Sequence, residues 1–467
     1  MQKYKSLYFF LFICINICLG AFLIGYYLVV YNSLQTQLQY LLYQYSSSST
    51  KTIYESIITA VIPLGGCLGS VLSSYLFRIL GRKNSFVFID VVCLFGAILT
   101  VFESLFCIIL GRLICGFSMG VNSSLVALYI KEISPPELSE YFCSIINIAL
   151  NIGIFTAFLF GLNTLSDEDL ALGVTDNWWR FMFGFPIFFC FLRSFLILFK
   201  FNYETPIYLL QKNEFEEAMN VIKALYNEEN VQEIYEELSK KATVMQQLSL
   251  QNKESLKQNF MQKHFANFLI AFSMVLANQF SGINALAYYS SKLFKANGWS
   301  NTASNYLNGG FGFTNLISGF FMVIPLKKFG VRTTYLLSLF FVAFFLGLIA
   351  LCSYLDLSTG TTVNIFCFDF FFNLGCGPII FIVIPEILPD LLIGVSFLFF
   401  WIYAFIIGIC FPLMIESSLG VSGSFLLFCI CVFVCFIFNF FFFKTKKENE
   451  DVEVSSFIER KSETDDT

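Results

Sequence analysis

Hydrophobic residues in this chain fall into long runs separated by short polar intervals. The first run covers Leu7 to Tyr31, and further runs lie near 53–77, 86–103, 107–130, 141–162 and 181–200. After a charged interval six more follow, near 265–290, 303–326, 333–354, 362–385, 392–415 and 421–443. Each holds about 18 to 25 residues, the length of helix that crosses a hydrocarbon layer about 30 Å thick. The pattern predicts an all-α membrane protein with twelve transmembrane helices in two sets of six. The first run is longer than a signal-peptide core and lacks a convincing cleavage site, so it is read as the first helix.

Between the two sets the composition changes. Glu214, Glu216, Glu217, Glu228, Glu229, Glu233, Lys240 and Lys241 punctuate an apolar pattern of helical spacing, as in an amphipathic helical insert. The expected organisation is an N-terminal six-helix bundle (1–200), a helical linker (201–263), a C-terminal six-helix bundle (264–444) and a tail (445–467) polar enough to stay disordered.

Positive residues sort the intervals. Arg78, Arg82, Lys83, Lys131, Lys327, Lys328, Arg332, Lys444, Lys446 and Lys447 fall on the side of the N-terminus, whereas the 163–177 interval carries Asp167, Glu168, Asp169 and Asp176. The positive-inside rule then puts both termini and the insert in the cytoplasm. Lys292 and Lys295 are exceptions, on the outer side. A repeat supports the division: Gly81-Arg82-Lys83 is echoed by Gly330-Val331-Arg332, and Glu132-Ile-Ser-Pro135 by Glu386-Ile-Leu-Pro389. The two offsets are nearly equal, about 250 residues, as in a parallel repeat of two halves.

Composition agrees with a polytopic membrane protein. Of the 467 residues 57% are hydrophobic and 13% charged, with a mean hydropathy of +0.72. The net charge of −5 comes without a basic patch, which excludes a nucleic-acid binder. Fifteen Cys lie mostly in apolar runs without CxxC spacing, and His264 is the sole histidine, at the start of the seventh helix, where an interfacial role is expected. No metal site, cofactor or disulfide framework is expected from such a set. Nor is there a nucleophile with its base or a nucleotide-cradling glycine loop, so the chain does not read as an enzyme. The Asn122 sequon falls inside a helix and should not be glycosylated.

Chemistry concentrates in the stretch Asn278 to Phe294, where Asn278, Gln279, Ser281 and Asn284 precede Tyr288 and Tyr289. On a continuous helix Gln279 and Asn284 would share one broad face, about 140° apart. Amides at membrane depth either contact a ligand or bond neighbouring helices. Neutral donors and acceptors beside aromatic rings suit an uncharged polyhydroxylated ligand. Asp369 is a second outlier: an acid within an apolar run serves a mechanism, such as proton coupling, or else sits hydrated at the outer interface. Arg82, Arg112 and Glu132 in one half, and Arg332 and Glu386 in the other, are expected at neighbouring cytoplasmic helix ends, where ion pairs would latch that face or positive charge would merely set orientation.

In order along residues 7–443, the chain resembles the sugar porter branch of the major facilitator superfamily. The resemblance rests on Gly81-Arg82-Lys83, on Gly111-Arg112 with Gly116 and Gly120, and on Tyr129-Ile-Lys-Glu132-Ile-Ser-Pro135. It continues through Trp179-Arg180, Glu204-Thr-Pro206, the stretch from Asn278 to Ser290, Gly377-Pro378, and Trp401 with Gly408. It implies a major facilitator fold whose halves rock about a central sugar site, giving alternating access. The family's sugar contacts correspond to Asn278, Gln279, Asn284, Asn315, Asn147, Asn373, Phe381 and Trp401. Phe381 stands where a Trp is usual, and Phe400 and Ala404 where two Asn are usual. Basic residues usual in the latch are replaced by Ser139, Ile393 and Ile207.

Family symporters carry an Asp after the Gly-Tyr pair of helix 1; here Gly25-Tyr26 is followed by Tyr27. The expected function is therefore facilitated diffusion of a hexose, glucose first among the candidates. The partners are a sugar and the lipid bilayer, with no obligate protein partner evident, and the plasma membrane is the expected location. The alternatives are a proton-coupled symporter of a sugar or polyol, and a non-transporting nutrient receptor of the same fold, against which the short tail argues.

Overall fold

In hydrocarbon a helix satisfies every main-chain N–H and C=O within its own segment, and the apolar runs of this chain accordingly become helices. A computed structural model describes residues 4–135, 138–251, 256–388 and 390–443. The expected disordered tail, with Lys444, Lys446 and Lys447, lies outside these residues, as does Pro389. The first set comprises α1 (Leu7–Leu42), α2 (Ser48–Thr100), α3 (Leu105–Ile133), α4 (Ser139–Gly161), a short α5 (Asp167–Ala171), α6 (Trp178–Gly184) and α7 (Pro186–Phe199). The insert holds α8 (Pro206–Gln211), α9 (Phe215–Leu225) and α10 (Val231–Gln251). The second set comprises α11 (Leu256–Gln279), α12 (Ile283–Ala296), α13 (Asn301–Phe321), α14 (Val323–Tyr354), α15 (Ser358–Phe371), α16 (Ile379–Ile387), α17 (Asp390–Glu416) and α18 (Gly420–Phe442).

Among the described residues nine helical stretches are long and apolar enough to cross a membrane. One of them, α2, is two helices joined at Gly81, whose φ of 80° breaks the helical path. In α14 the same happens at Gly330, with φ 77°. The two glycines are the repeated positions of the sequence, and both adopt a left-handed φ that costs glycine little. Divided there, the described helices follow the order of the twelve apolar runs. Two of those runs fall short of the nine: α13 is long enough but polar, and in α4 only Ile145–Gly161 is apolar.

Two boundaries differ from expectation. The first helix continues past Tyr31 to Leu42, because Asn32, Ser33, Gln35 and Gln37 are buried there rather than solvated. The seventh is not continuous, as described below. Main-chain contact between Lys5 N–H and Leu225 O, at 3.1 Å, and the pairing of Tyr4 with Tyr226 put the N-terminal segment and the insert on one face.

Within the first set the strongest polar contact is an ion pair buried at membrane depth. The Arg193 guanidinium on α7 donates to Asp90 on the second limb of α2 at 2.5 to 3.1 Å, and both side chains are almost wholly hidden. Arg193 also donates to Asn122 Oδ1 of α3 at 2.9 Å and lies over the Phe86 ring, while Ser194 donates to Asp90 at 2.8 Å. Gly20 of α1 leaves the space that the guanidinium fills. One cation thus ties four helices. Removing one partner strands the other charge in hydrocarbon, at a cost of about 3–5 kcal/mol. Arg193→Met is expected to lower the thermal midpoint of the detergent-solubilised protein, and the double variant Asp90→Leu with Arg193→Met to recover most of the loss. A single variant as stable as the original protein would refute the pinning role.

Candidate functional site

The seventh apolar run breaks in its middle. Helix α11 stops at Gln279 and α12 starts at Ile283, with Gly282 between them in the left-handed region at φ 81°. A side chain at Gly282 would meet the Phe428 ring of α18, 2.6 Å from its Cβ, so glycine is required on both counts. The Ser281 hydroxyl covers the groups the break frees, donating to Asn278 O at 2.6 Å and accepting from Ile283 N–H at 3.3 Å. The single helix face expected for Gln279 and Asn284 is thus replaced by a fold-back in which Asn284 Nδ2 donates to Gln279 Oε1. Gln279 Nε2 in turn donates to Asn278 Oδ1 at 3.3 Å, and Asn278 Nδ2 donates to Cys376 O and Gly377 O at 3.1 and 3.4 Å. Discontinuous helices of this kind characteristically carry the substrate sites of transporters.

The tenth run also breaks, in a π-helical turn over Phe372–Cys376 between α15 and α16. The turn holds Asn373. Its Nδ2 donates to Asn315 Oδ1 of α13 at 3.0 Å and to Asp369 Oδ1 at 3.1 Å, while Asn315 Nδ2 reaches both Asp369 oxygens at 2.9 Å. Asp369 is completely buried. The reading of this acid as a hydrated interfacial residue is therefore wrong: α13 and the π turn cover it, and its described hydrogen-bond donors are amides. From α4, Asn151 Nδ2 donates to the main-chain oxygen of Asn315 at 3.0 Å. Asn147 and Asn151 both lie beside Gly319. Two atoms here, Asn147 Nδ2 and Asn151 Oδ1, are buried without a hydrogen-bond partner among the described residues.

Aromatic groups flank the amides. Phe381 stacks on Phe397 at 5.4 Å and meets Phe400 at 6.0 Å, and Ala404 is buried on the same helix, α17. Trp401 packs its indole against Gly66 of α2, and its Nε1–H has no partner among the described residues. The sequence-derived candidates thus occupy three places: the α11–α12 break, the α13–α15–π-turn cluster facing α4, and the α17 aromatic wall facing α2.

Described polar links between the halves lie at mid-depth or on the face away from the insert. Asn32 of α1 donates to Ala287 O and Ser290 Oγ of α12 at 3.0 and 2.7 Å. Lys292 of α12 pairs with Glu55 of α2 at 3.6 Å and with Glu416 of α17 at 3.0 Å, and Thr52 donates to Glu416 at 2.9 Å. Lys295 donates to Thr36 at 3.2 Å. Lys292 and Lys295, exceptions to the charge sorting, are thus committed to partners across the halves.

On the insert face Arg82 and Glu132 form the expected pair, bidentate at 2.8 and 3.0 Å. Thr205 also donates to Glu132, at 2.5 Å, and the Arg82 guanidinium lies 4.8 Å from the centre of the Tyr208 ring. Glu204 accepts from the main-chain N–H groups of Arg82, Lys83 and Thr205 at 2.9 to 3.3 Å. Burial pushes its pKa up, opposed by those three N–H groups and by the charge of Arg82. One member of the expected network is elsewhere. Arg112 begins the helix that Glu132 ends, about 30 Å away along its axis; it donates to Ile58 O at 2.8 Å and lies over the Tyr31 ring. The direction of α3 is the reason, since it runs toward the insert face. Arg332 donates to Phe440 O at 3.0 Å, and the side chain of Glu386 lies outside the described residues.

Asp90, Arg193, Asn151 and Asn32 did not stand out in the sequence. A search for every charge inside an apolar run, applied to more than Asp369, would have found the first two.

The helices and the two broken segments define a polytopic membrane carrier of the major facilitator fold. The chain belongs to the Sugar (and other) transporter family, whose profile matches residues 13–454. This is a family of transporters, not enzymes. Among curated proteins it is 29% identical to plastidic glucose transporter 4 of Arabidopsis thaliana, over 88% of this chain and 73% of the relative. It is 28% identical to facilitated glucose transporter member 3 of Ovis aries, over 84% and 82% of the two chains. Among solved structures, the proton:xylose symporter XylE bound to 6-bromo-6-deoxy-D-glucose superposes with a TM-score of 0.80, over 93% of this chain and 96% of that one, at 16% identity. The last likeness is one of fold.

Gly282→Ala is expected to lower stability by about 1–2 kcal/mol, the cost of a left-handed non-glycine residue, and to reduce transport with it. Unchanged melting and unchanged uptake in the Gly282→Ala variant would show that the break does not require glycine.

Proposed function

We propose that this chain carries a hexose, glucose first among the candidates, across the plasma membrane by facilitated diffusion with alternating access. The observation that carries the proposal is the set of buried amides on broken or facing helices of both halves: Asn278, Gln279 and Asn284 at the α11–α12 break, Asn315 on α13 with Asn373 in the π turn, and Asn147 on α4 with an amide donor lacking a described partner. Neutral amides of this kind match sugar hydroxyls, and the similarity to glucose carriers of sheep and Arabidopsis supports the same reading. The two six-helix halves, 1–200 and 264–444, are the moving bodies, joined by the linker 201–263. Both termini and the insert face the cytoplasm. There Arg82, Glu132, Glu204 and Tyr208 hold the first half and the insert together, and Arg332 serves the second.

Tyr27 in place of a helix-1 acid favours a uniporter. A second reading, proton-coupled transport of a sugar or polyol, is favoured by one observation, the complete burial of Asp369 within the amide cluster. Initial rates of labelled glucose uptake into proteoliposomes separate the two. Saturable uptake unaffected by an inward proton gradient is expected; accumulation dependent on the gradient would replace the first reading by the second. Gln279→Ala is expected to raise the KM for glucose about 2- to 10-fold, the equivalent of one neutral hydrogen bond of about 0.5–1.5 kcal/mol. Unaltered KM and rate would remove Gln279 from the site.

A further inference from the structure

Asn32 lies in the part of α1 beyond Tyr31 and bonds both partners of a single main-chain rung in α12. Its Nδ2 donates to Ala287 O at 3.0 Å, and its Oδ1 accepts from Ser291 N–H at 3.2 Å. In a regular α-helix those two groups bond each other, because each N–H donates to the C=O four positions earlier. Between them Tyr289 leaves helical geometry, with φ −134° and ψ 17°. A carboxamide from the first half thus stands in for a rung of the α12 ladder at the point where that helix bends.

The helices packed most closely on α12 are α1, α13 and α17, and all three take part. From α1, Asn32 Nδ2 also donates to Ser290 Oγ at 2.7 Å, and Asn32 O accepts from Ser291 Oγ at 3.4 Å. From α13, Asn308 Oδ1 accepts from Ser290 Oγ at 2.6 Å, and Asn308 Nδ2 donates to Ser291 Oγ at 2.7 Å. On the α17 side the Tyr289 hydroxyl donates to Gly408 O at 2.6 Å. Asn32 and Asn308 are both buried, so the cluster is closed to solvent in this conformation.

A helix pulled from such a clamp would ordinarily expose unpaired main-chain groups, which are costly at this depth. Here the withdrawal of Asn32 leaves Ala287 O and Ser291 N–H free to bond each other. The carboxamide itself enters the water that fills the opened face. Hydrogen bonds are exchanged rather than lost, and α12 straightens as the rung closes.

Resting on the alternating-access reading of this chain, we propose that Asn32 is a positioning residue: it bends α12 while the face away from the insert is closed, and returns the rung to the helix when that face opens. Asn308, on the same half as α12, travels with it and keeps Ser290 and Ser291 paired throughout.

The test uses the full chain in proteoliposomes and two readouts that do not depend on the solute. The first is labelling of a cysteine introduced at Gln35, a buried residue of α1, by a membrane-impermeant maleimide, read by peptide mass to separate it from the native cysteines. The second is amide hydrogen exchange over the peptide that contains Ser291. Asn32→Ala is expected to raise the labelling about tenfold, the population shift that about 1.4 kcal/mol of lost hydrogen bonding produces. Exchange at Ser291 should stay as slow as in the original protein, because α12 then bonds itself. Asn32→Gln keeps both amide groups and should restore part of the protection from labelling; if Asn32→Ala fails to fold, intermediate labelling of Asn32→Gln supports the proposal by itself. Unchanged labelling in the folded variants would overturn the inference. Fast exchange at Ser291 in Asn32→Ala would also overturn it, since α12 would then be unable to close its own rung. Absence of saturable glucose uptake by the unsubstituted protein would overturn the glucose reading, and labelling and exchange would still decide this inference.

Discussion

A polar atom in the interior of a bilayer has no water to turn to, and leaving it unpaired costs several kcal/mol. That constraint arranges this molecule. It makes each apolar run a helix, sends the freed groups of the α11–α12 break to Ser281, and packs Asp90 against Arg193 with Asn122 and Ser194 closing the remaining valences. Among the buried atoms without a described partner, Asn147 Nδ2, Asn151 Oδ1 and Trp401 Nε1 lie on helices packed against the opposite half.

The same constraint separates the stiff parts from the movable ones. Within the first half, buried charge pairs Arg193 with Asp90, and Arg82 joins Glu132 at the insert face. Between the halves, the described links are of another kind: hydroxyls and amides around Asn32 and Ser290, the hydrogen bond from Thr52 to Glu416, and the pair of Lys292 with Glu55, which is partly exposed at the lysine. Exposed ion pairs contribute about 1 kcal/mol or less. Contacts of that size hold a face shut yet open at small cost, whereas the buried pairs stiffen the first half.

Much of the architecture was legible because membrane burial writes itself plainly into sequence. The run lengths set the helices, and the repeated Gly81 and Gly330 prove to be equivalent kinks. The candidate residues were legible by type: Asn278, Gln279 and Asn284 bond one another, and so do Asn315 and Asn373. Its geometry was not, since an apolar stretch with one glycine reads as an unbroken helix, and nothing in the spacing tells that Gly282 turns left-handed against Phe428. Arg112 was misassigned because its motif neighbours other charged motifs in sequence, while the direction of α3 carries it to the opposite end from Glu132. Lys292 and Lys295 broke the charge rule for a reason that lies only in three dimensions, the Glu55 carboxylate and the Thr36 hydroxyl on the facing half.

In the proposed transport cycle, solute crosses because the two halves part at the face where they now meet. Cysteines placed at Thr52 on α2 and Ser290 on α12, in separate proteins each paired with a cysteine on the facing half, at Glu416 and Asn32 respectively, would lock that face by an oxidised cross-link. Labelled hexose uptake into proteoliposomes should fall to background on cross-linking and return on reduction. Full-rate uptake through the cross-linked protein would contradict the account.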